Sequence, residues 1–332
     1  MPERSDQGRA GEFELIARHF APLAEGFAGA FGLGDDTARF AARAGTDLVV
    51  TTDTLVAGVH FLASDPPAMI GQKTLRVSLS DLAAAGASPL AYQLSTAWPS
   101  DISEAWIADF VRGLAADQRR FGIVLCGGDT VGTPGPMTLT VTAFGSVEQN
   151  RGLGRAGARP GDRLLVSGTI GDGLLGLRAL RGELETVSAE ERAYVIDRYR
   201  LPRPRSELGP RLVGVASACI DVSDGLVADL GHLCRRSGCA ARLEIAKVPL
   251  SPGARSALAH DGALLTKLLA GGDDYELLFA VPPEKRDRAL ATLATADVPL
   301  TEIGHFAAGE GVQAVGADGS PIRLAASGWQ HF

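Results

Sequence analysis

No block of lysines and arginines occurs anywhere in the sequence. A duplex-binding surface needs one, because clustered cations meet the phosphate charge. The net charge is −7 and the pI about 5.4. This acidic balance disfavours nucleic acid and anionic membranes as partners, but not a nucleotide whose phosphates are bridged to carboxylates by metal ions. No run of about 18 apolar residues is present, so no membrane span is expected. The first twenty residues carry charges every few positions and lack the apolar stretch of a signal peptide, so the expected location is cytoplasmic. Cysteine is scarce: Cys126, Cys219, Cys234 and Cys239, with no C-x-x-C and no paired histidines. That argues against a zinc site or a disulfide framework and for buried reduced thiols.

Two nucleotide and nucleophile signatures are also missing. "IGQKT" does not complete G-x-x-x-x-G-K-[ST], so a Walker phosphate loop is excluded, and no G-x-S-x-G elbow is present. G-x-G-x-x-G occurs at Gly152, Gly154, Gly157 and at Gly171, Gly173, Gly176. The first precedes a Pro-Gly turn. The second follows a strand and opens a helix, but about twenty residues on the chain is in a polar helix around Glu190 rather than at the end of a second strand, which argues against a dinucleotide fold.

What remains is a 332-residue chain, 45% hydrophobic and 21% charged, with 41 glycines that cluster. A single core rarely grows past about 250–300 residues, so two domains are expected. Their boundary is read at the Gly/Pro/Arg-rich stretch from Asn150 to Asp162, giving domains over 1–149 and 150–332. In the first, Glu12 to Phe20 reads as a short amphipathic helix. Leu48 to Thr52 reads as a strand ending at Asp53, Pro66 to Gly86 as a helix, and Pro89 to Trp98 as a strand. Ser103 to Phe121 reads as a helix capped by Ser103, "IVLCGGDT" as a strand ending in a turn, and Met137 to Val147 as an alternating strand. In the second, "RLLVSG", "ACIDVSD", "ARLEIAKVPL" and "YELLFAVP" read as strands. Helices are expected over Gly173 to Arg181, Ser188 to Tyr199, Gly225 to Arg236 and Pro283 to Ala296, and the tail from Pro299 as β and loop. Without strict β-α-β alternation, two α+β domains fit better than one doubly wound sheet.

The informative feature is a set of acids at expected turns and helix starts. They are Asp35 and Asp36 in "GLGDD", Asp53 in "TTDT", Asp81 in "LSDLA", Asp129 in "GGDT", Asp221 and Asp224 in "IDVSDGL", and Asp273, Asp274 and Glu276 in "GGDDYE". Mg²⁺ takes hard oxygen ligands at about 2.0–2.1 Å and bridges one or two carboxylates to phosphate oxygens. Carboxylates gathered from distant segments suit that task, and phosphoryl transfer needs mostly positioning and electrostatics. Each Asp alone is equally an ordinary turn or cap residue, and spacing leaves both readings open. Arg155 is either a phosphate partner or a solvated loop residue. Lys73 and Asp81, eight apart on one helix face, either face a site or form a surface stripe. His60 in "AGVHF" is either functional or a plain core or surface histidine. The helix starts after "SD" and "GD" are candidate anion sites through free N–H groups.

Taken in order, "TTDTLVAGVHF", "SLSDLAAAGA", "GGDT", "RAGARPGD", "IDVSDGLVADLGHL", "GGDDYELLF" and "GWQHF" resemble the thiamine-monophosphate kinase family, nearly end to end. That family belongs to the superfamily of aminoimidazole ribonucleotide synthetase and selenophosphate synthetase. The resemblance implies an N-terminal domain whose strands build a dimer-interface barrel and a C-terminal domain of sheet packed with helices. It implies a homodimer acting on ATP and thiamine monophosphate, with Mg²⁺, by direct in-line transfer. Carried over by position, the metal ligands are Asp36, Thr51, Thr52, Asp53, Asp81, Asp129, Asp221 and Asp224, with Asp53, Asp81 and Asp129 catalytic. ATP contacts are Gly128, Asp129, Arg155 and Ser223; substrate contacts are His60, Asp273 and Trp329. Two positions depart from the family pattern. Asp273 stands where relatives often have Glu, one methylene longer, and Trp329 where some have Tyr; either ring stacks on a heterocycle. The competing readings are another ATP-dependent member of the superfamily, or a non-catalytic nucleotide-binding module.

Overall fold

A computed structural model describes residues 11–35, 37–40, 43–293 and 298–322. The chain divides into two compact units. The first comprises Met1–Ser78 and Pro89–Ser146; the second comprises Leu79–Ser88 and Val147–Phe332. Both mix helix with sheet, so the architecture is two α+β domains.

In the first unit, α1 (Glu12–Leu15) continues into a π-helical turn over Ile16–Phe20 and two 3-10 segments, Ala21–Ala24 and Ala28–Leu33. The expected single helix over Glu12 to Phe20 is thus only partly α-helical. The strands are β1 (Thr46–Val56), β2 (Ser88–Pro99), β3 (Val124–Thr133) and β4 (Thr138–Glu148), in the order β1-β4-β2-β3. Strand β1 shows period-two burial, with 48, 50, 52 and 54 open and the residues between them more covered. Two helices, α2 (Pro67–Ala84) and α3 (Glu104–Phe121), are drawn to the covered face by apolar burial. Trp98 of β2 meets Phe110 of α3 edge-on at 5.5 Å, and Ser78 of α2 reaches Asp53 of β1. Helix α3 starts at Ser103, which accepts a bond from the Trp106 amide, and stops at Gly122 in the left-handed region.

Three readings change here. Strand β1 runs through Asp53 to Val56, so Asp53 lies within the strand rather than at its end. Strand β3 carries "GGDT" onward to Thr133, paired with β2 as far as Pro99; no turn follows Asp129, because ladder pairing overrides the local glycine signal. Helix α2 is buried nearly all round, with Lys73 only 2% exposed, so no surface salt-bridge stripe joins Lys73 to Asp81. Nearby, Arg76 donates two bonds to Asp117, which also accepts from Gln72.

The second unit is built on β5 (Arg163–Ser167), β6 (Ala218–Asp221), β7 (Ala240–Glu244), β8 (Leu277–Val281), β9 (Leu300–Ala307) and β10 (Gly311–Val315). Their order is β10-β7-β9-β5-β8-β6. The β7–β10 pair is parallel, while the β5–β8, β5–β9, β6–β8 and β7–β9 pairs are antiparallel. Strands β5, β6 and β8 are apolar runs covered on both faces. Leu164, Val166, Ile220 and Leu278 join one core, and Leu165, Cys219, Leu277 and Phe279 join another. The helices are α4 (Asp172–Leu180), α5 (Ala189–Arg200), α6 (Gly209–Leu212), α7 (Leu226–Ser237), α8 (Pro252–His260), α9 (Leu264–Ala270) and α10 (Arg286–Leu293). Ser188 and Glu191 form a complete capping box on α5.

Strand β7 is shorter than its apolar pattern implied, giving way to a 3-10 turn over Ile245–Lys247 before Pro249. Helices α6, α8 and α9 were not anticipated, although α8 opens on a Ser251 cap with Pro252 at its first position, a standard start signal. The helix expected over Pro283 to Ala296 is described to Leu293 and begins with a 3-10 turn. All four cysteines are buried free thiols. Among the described residues, no helix is long and apolar enough to cross a membrane.

Candidate active site

Asp53 and Asp129 stand on the two edge strands of the first sheet. Asp53 turns toward the helix-covered face and accepts a 2.7 Å bond from the Ser78 hydroxyl. Asp129 pairs in register with Ser95, while the next pair, Thr96 and Thr130, shares the helix-side face with Trp98. Asp129 therefore points to the opposite, open face, where its carboxylate accepts from the Thr130 amide at 2.9 Å. Three strand intervals of about 4.8 Å also separate the two edges. The sheet thus delivers these two acids to different surfaces. Thr51 shares the Asp53 side of the pleat, whereas Thr52 lies on the open face, bonded to Thr142 at 3.0 Å.

On the open face, a pocket of about 150 Å³ lies between the N-terminal segment and β2–β3. Gly128 and Asp129 line it, with Asp35, Thr37 and Gln93 as further polar groups and Phe20 and Leu33 as apolar ones. Gly128 has φ +157, and a Cβ there would stand 1.9 Å from the Leu94 carbonyl, so no larger residue fits that crossing. His60 sits in a tight loop closed by a bridge between Ala57 and Phe61. Its Nδ1 accepts the Val56 amide at 3.0 Å, which places the proton of the neutral ring on Nε2.

In the second unit the "IDVSD" and "GGDDYE" segments converge. Asp221 ends β6 and is 4% exposed. The Asp273 amide donates to the Ser223 carbonyl (2.9 Å) and the Tyr275 amide to that of Val222 (2.8 Å). Gly272 lies so close to Ser223 that a Cβ would come within 2.1 Å of its carbonyl oxygen. Ser223, Asp224 and Asp273 are therefore one bonded unit. Arg155 is an exposed loop residue whose carbonyl accepts from Ser237. Asp81 is half-buried near the end of α2. Asp36 and Trp329 lie outside the described residues.

At both helix starts, acids of the chain itself take several of the amides. At the start of α7, the amides of Ser223, Asp224 and Gly225 all donate to the Asp229 carboxylate at 3.1 Å. Burial pushes the Asp229 carboxyl up to about 7, with Asp224 adding to the rise and the three amides opposing it. At the start of α4, the amides of Gly171 and Gly173 donate to Asp274 at 2.7 and 3.1 Å. The second G-x-G-x-x-G thus serves internal packing, and Gly176 lets α4 approach the Val195 backbone of α5. Burial and the neighbouring Asp172 raise the Asp274 carboxyl well above its ordinary value, against its amide partners and Arg198.

Sequence reading missed Asp229, Arg198 and Arg205. Glu276, fully buried, accepts from Ser167 (2.6 Å), from Arg198 (2.9 Å) and from both faces of the Arg205 fork. Burial works against charge on Arg198, yet Glu276, Asp172 and Asp274 outweigh it and raise its pKa. The signal available for Asp229 was its place four residues after Gly225 on the apolar stripe of α7, where an acid has no packing role. Nothing in the sequence distinguished Arg198 from the exposed arginines around it.

The donor set consists of carboxylates and hydroxyls. Among the described residues, no three His, Cys, Asp or Glu side chains gather closely enough to cage a metal. A donor set of carboxylates and hydroxyls is of the kind that hard cations take.

Comparison with known proteins matches residues 34–147 to the AIR synthase related protein N-terminal domain and residues 159–316 to the C-terminal domain of the same description. The thiamine-monophosphate kinase of Caulobacter vibrioides is 45% identical over 325 residues, covering 96% of this chain and 90% of that protein. The crystal structure of thiamine-monophosphate kinase from Stenotrophomonas maltophilia superposes with a TM-score of 0.83 at 42% identity, covering 94% of this chain and 98% of the other. A structure of AaThiL complexed with AMPPCP and TMP superposes with a TM-score of 0.77 at 33% identity, covering 97% of each chain. The chain belongs to the thiamine-monophosphate kinase family.

Proposed function

We propose that this protein transfers the terminal phosphoryl group of ATP to thiamine monophosphate, giving thiamine diphosphate and ADP by direct in-line transfer. The observation that carries the reading is the full-length match to thiamine-monophosphate kinases at 45% identity. The likeness to a structure holding an ATP analogue together with TMP supports both substrates.

The residue roles are carried over from the family resemblance. Gly128, Asp129, Arg155 and Ser223 contact ATP. His60, through its Nε2 proton, and Asp273 contact the acceptor together with Trp329. Asp36, Thr51, Thr52, Asp53, Asp81, Asp129, Asp221 and Asp224 would hold Mg²⁺, not all about one ion, because Thr51 and Asp53 lie on the other face of the first sheet from Thr52 and Asp129. Bound Mg²⁺ supplies charge neutralisation between these acids and the phosphates and at the transferring group. The chain's own task is positioning. The acceptor phosphate oxygen is already anionic at neutral pH, so no protein nucleophile is needed, and Asp53, Asp81 and Asp129 act by orientation and electrostatics. The side chains of Asp229 and Asp274 occupy the amides of Ser223, Asp224, Gly225, Gly171 and Gly173, which are therefore not available to a phosphate. A homodimer through the open face of the first sheet is supported by Leu48, Val50 and Val131, which are 54, 52 and 49% exposed there.

Incubation of the purified protein with ATP, Mg²⁺ and thiamine monophosphate tests the reaction. Thiamine diphosphate is the expected product. Its absence, or turnover of unphosphorylated thiamine instead, overturns the assignment. Light scattering in solution tests the dimer.

A further inference from the structure

The "GGDDYE" loop takes a backbone path that its own residues do not favour. Asp273 has φ +70 and Tyr275 φ +52. Neither is glycine, and side chains of the L series disfavour this left-handed region, so the surroundings must hold the path in place. The residues between and after them are the fasteners. Asp274 turns inward onto the amides that open α4. Glu276 turns inward onto Ser167, Arg198 and Arg205, and lies so close to Gly168 that a Cβ there would fall 2.2 Å from its Oε1. One guanidinium nitrogen of Arg198 donates both to the Asp274 carbonyl at 3.0 Å and to Glu276 at 2.9 Å, spanning Tyr275 from below. Arg205 grips Glu276 with Nε and Nη2 together.

We propose that Arg198, Arg205 and Glu276 are positioning residues whose buried ion cluster fixes Asp273 at the acceptor side of the site. The proposal rests on the assignment of Asp273 to the acceptor. The consequence is selective. The Ser223–Gly225 turn shares backbone bonds with this loop but has a further anchor of its own, Asp229 through three amides, so loosening the arginine cluster displaces Asp273 more than the nucleotide turn.

Arg205→Lys tests this. It keeps the charge and removes the two-pronged grip, and Arg205 is 14% exposed, which leaves room for the shorter fork to be lost without unfolding. The expected result is an acceptor KM raised about tenfold, since sub-ångström misplacement of a contact is costly, with the ATP KM within about twofold and the melting temperature nearly unchanged. Hydrogen exchange is expected to quicken at the Asp273 and Tyr275 amides and not at the Ser223–Gly225 amides. Asp274→Asn, which turns an N–H against the Gly171 or Gly173 amide, is the second variant and is expected to give the same split. Unchanged acceptor KM, or equal rises for both substrates, overturns the proposal in whichever variant folds. If the wild-type protein does not act on thiamine monophosphate, the function is wrong and exchange alone decides: equal protection of the two amides in wild type and variant refutes the positioning role.

Discussion

The acids of the first unit and those of the second are spelled alike and used differently. Asp129 in "GGDT" sits open on an edge strand, with the neighbouring Thr130 amide donating to it. Asp274 in "GGDDYE" is 1% exposed and its carboxylate secures a helix start, while Glu276 two residues on is fully buried between two arginines. An acid beside glycine is therefore a ligand candidate where the sheet leaves it open and an internal fastener where the fold closes over it. Burial of a carboxylate without cations is costly, so the closed set comes with arginines and amides. The open Asp129 has no arginine bonded to it among the described residues.

Four results break or sharpen this contrast. The largest effect is expected from Asp53→Ala and Asp129→Ala, each lowering kcat by about a hundredfold or more, with thermal unfolding little changed for the exposed Asp129 and lowered by a few degrees for Asp53, which is the acceptor of the buried Ser78 hydroxyl. Activity near wild type in either variant removes that residue from the machinery. Next, Glu276→Ala removes the buried carboxylate that Arg198 and Arg205 share and is expected to cost about 3–5 kcal/mol of stability, read from denaturant unfolding. A cost as small as that of a surface substitution would place Glu276 with the open acids.

A smaller effect is expected from pH. Burial pushes the Cys126 and Cys234 thiols up to about 11, above an ordinary value of 9.0. The folded state then holds protons that the unfolded state has released, so stability falls as pH rises from about 9 to 11 and is unaffected by these groups below 9. A thiol reagent at pH 8 is expected to label none of the four cysteines until the protein is unfolded; native labelling contradicts their burial. Least of all, Arg112→Ala removes a pair with Asp109 in which the side chains are 69 and 44% exposed. It is expected to shift stability by no more than about 0.5 kcal/mol.

Much of this molecule was legible in its sequence. The strand and helix periods located β2, β4, α2, α3, α4, α5 and α7 to within a residue or two, because alternation and the 3.6 period record which side chains face a core. The ordered motifs pointed to the family, and the family to the candidate residues. Local reasoning failed where pairing partners decide the outcome. The glycines of "GGDT" spell a turn, yet nine ladder positions against β2, with a bulge at Cys126, carry β3 on through Asp129.

The residue types alone favoured hard-oxygen ligands over thiolate or imidazole cages, since cysteines are few and without C-x-x-C while carboxylates stand beside glycines along the whole chain. Tertiary structure alone decided which carboxylates are available. Asp53 and Asp129 depart to opposite faces because the pleat has a period of two and their strands lie at opposite edges. Asp229, Asp274 and Glu276 are taken inward because distant backbone amides and arginines, brought close only by folding, satisfy them.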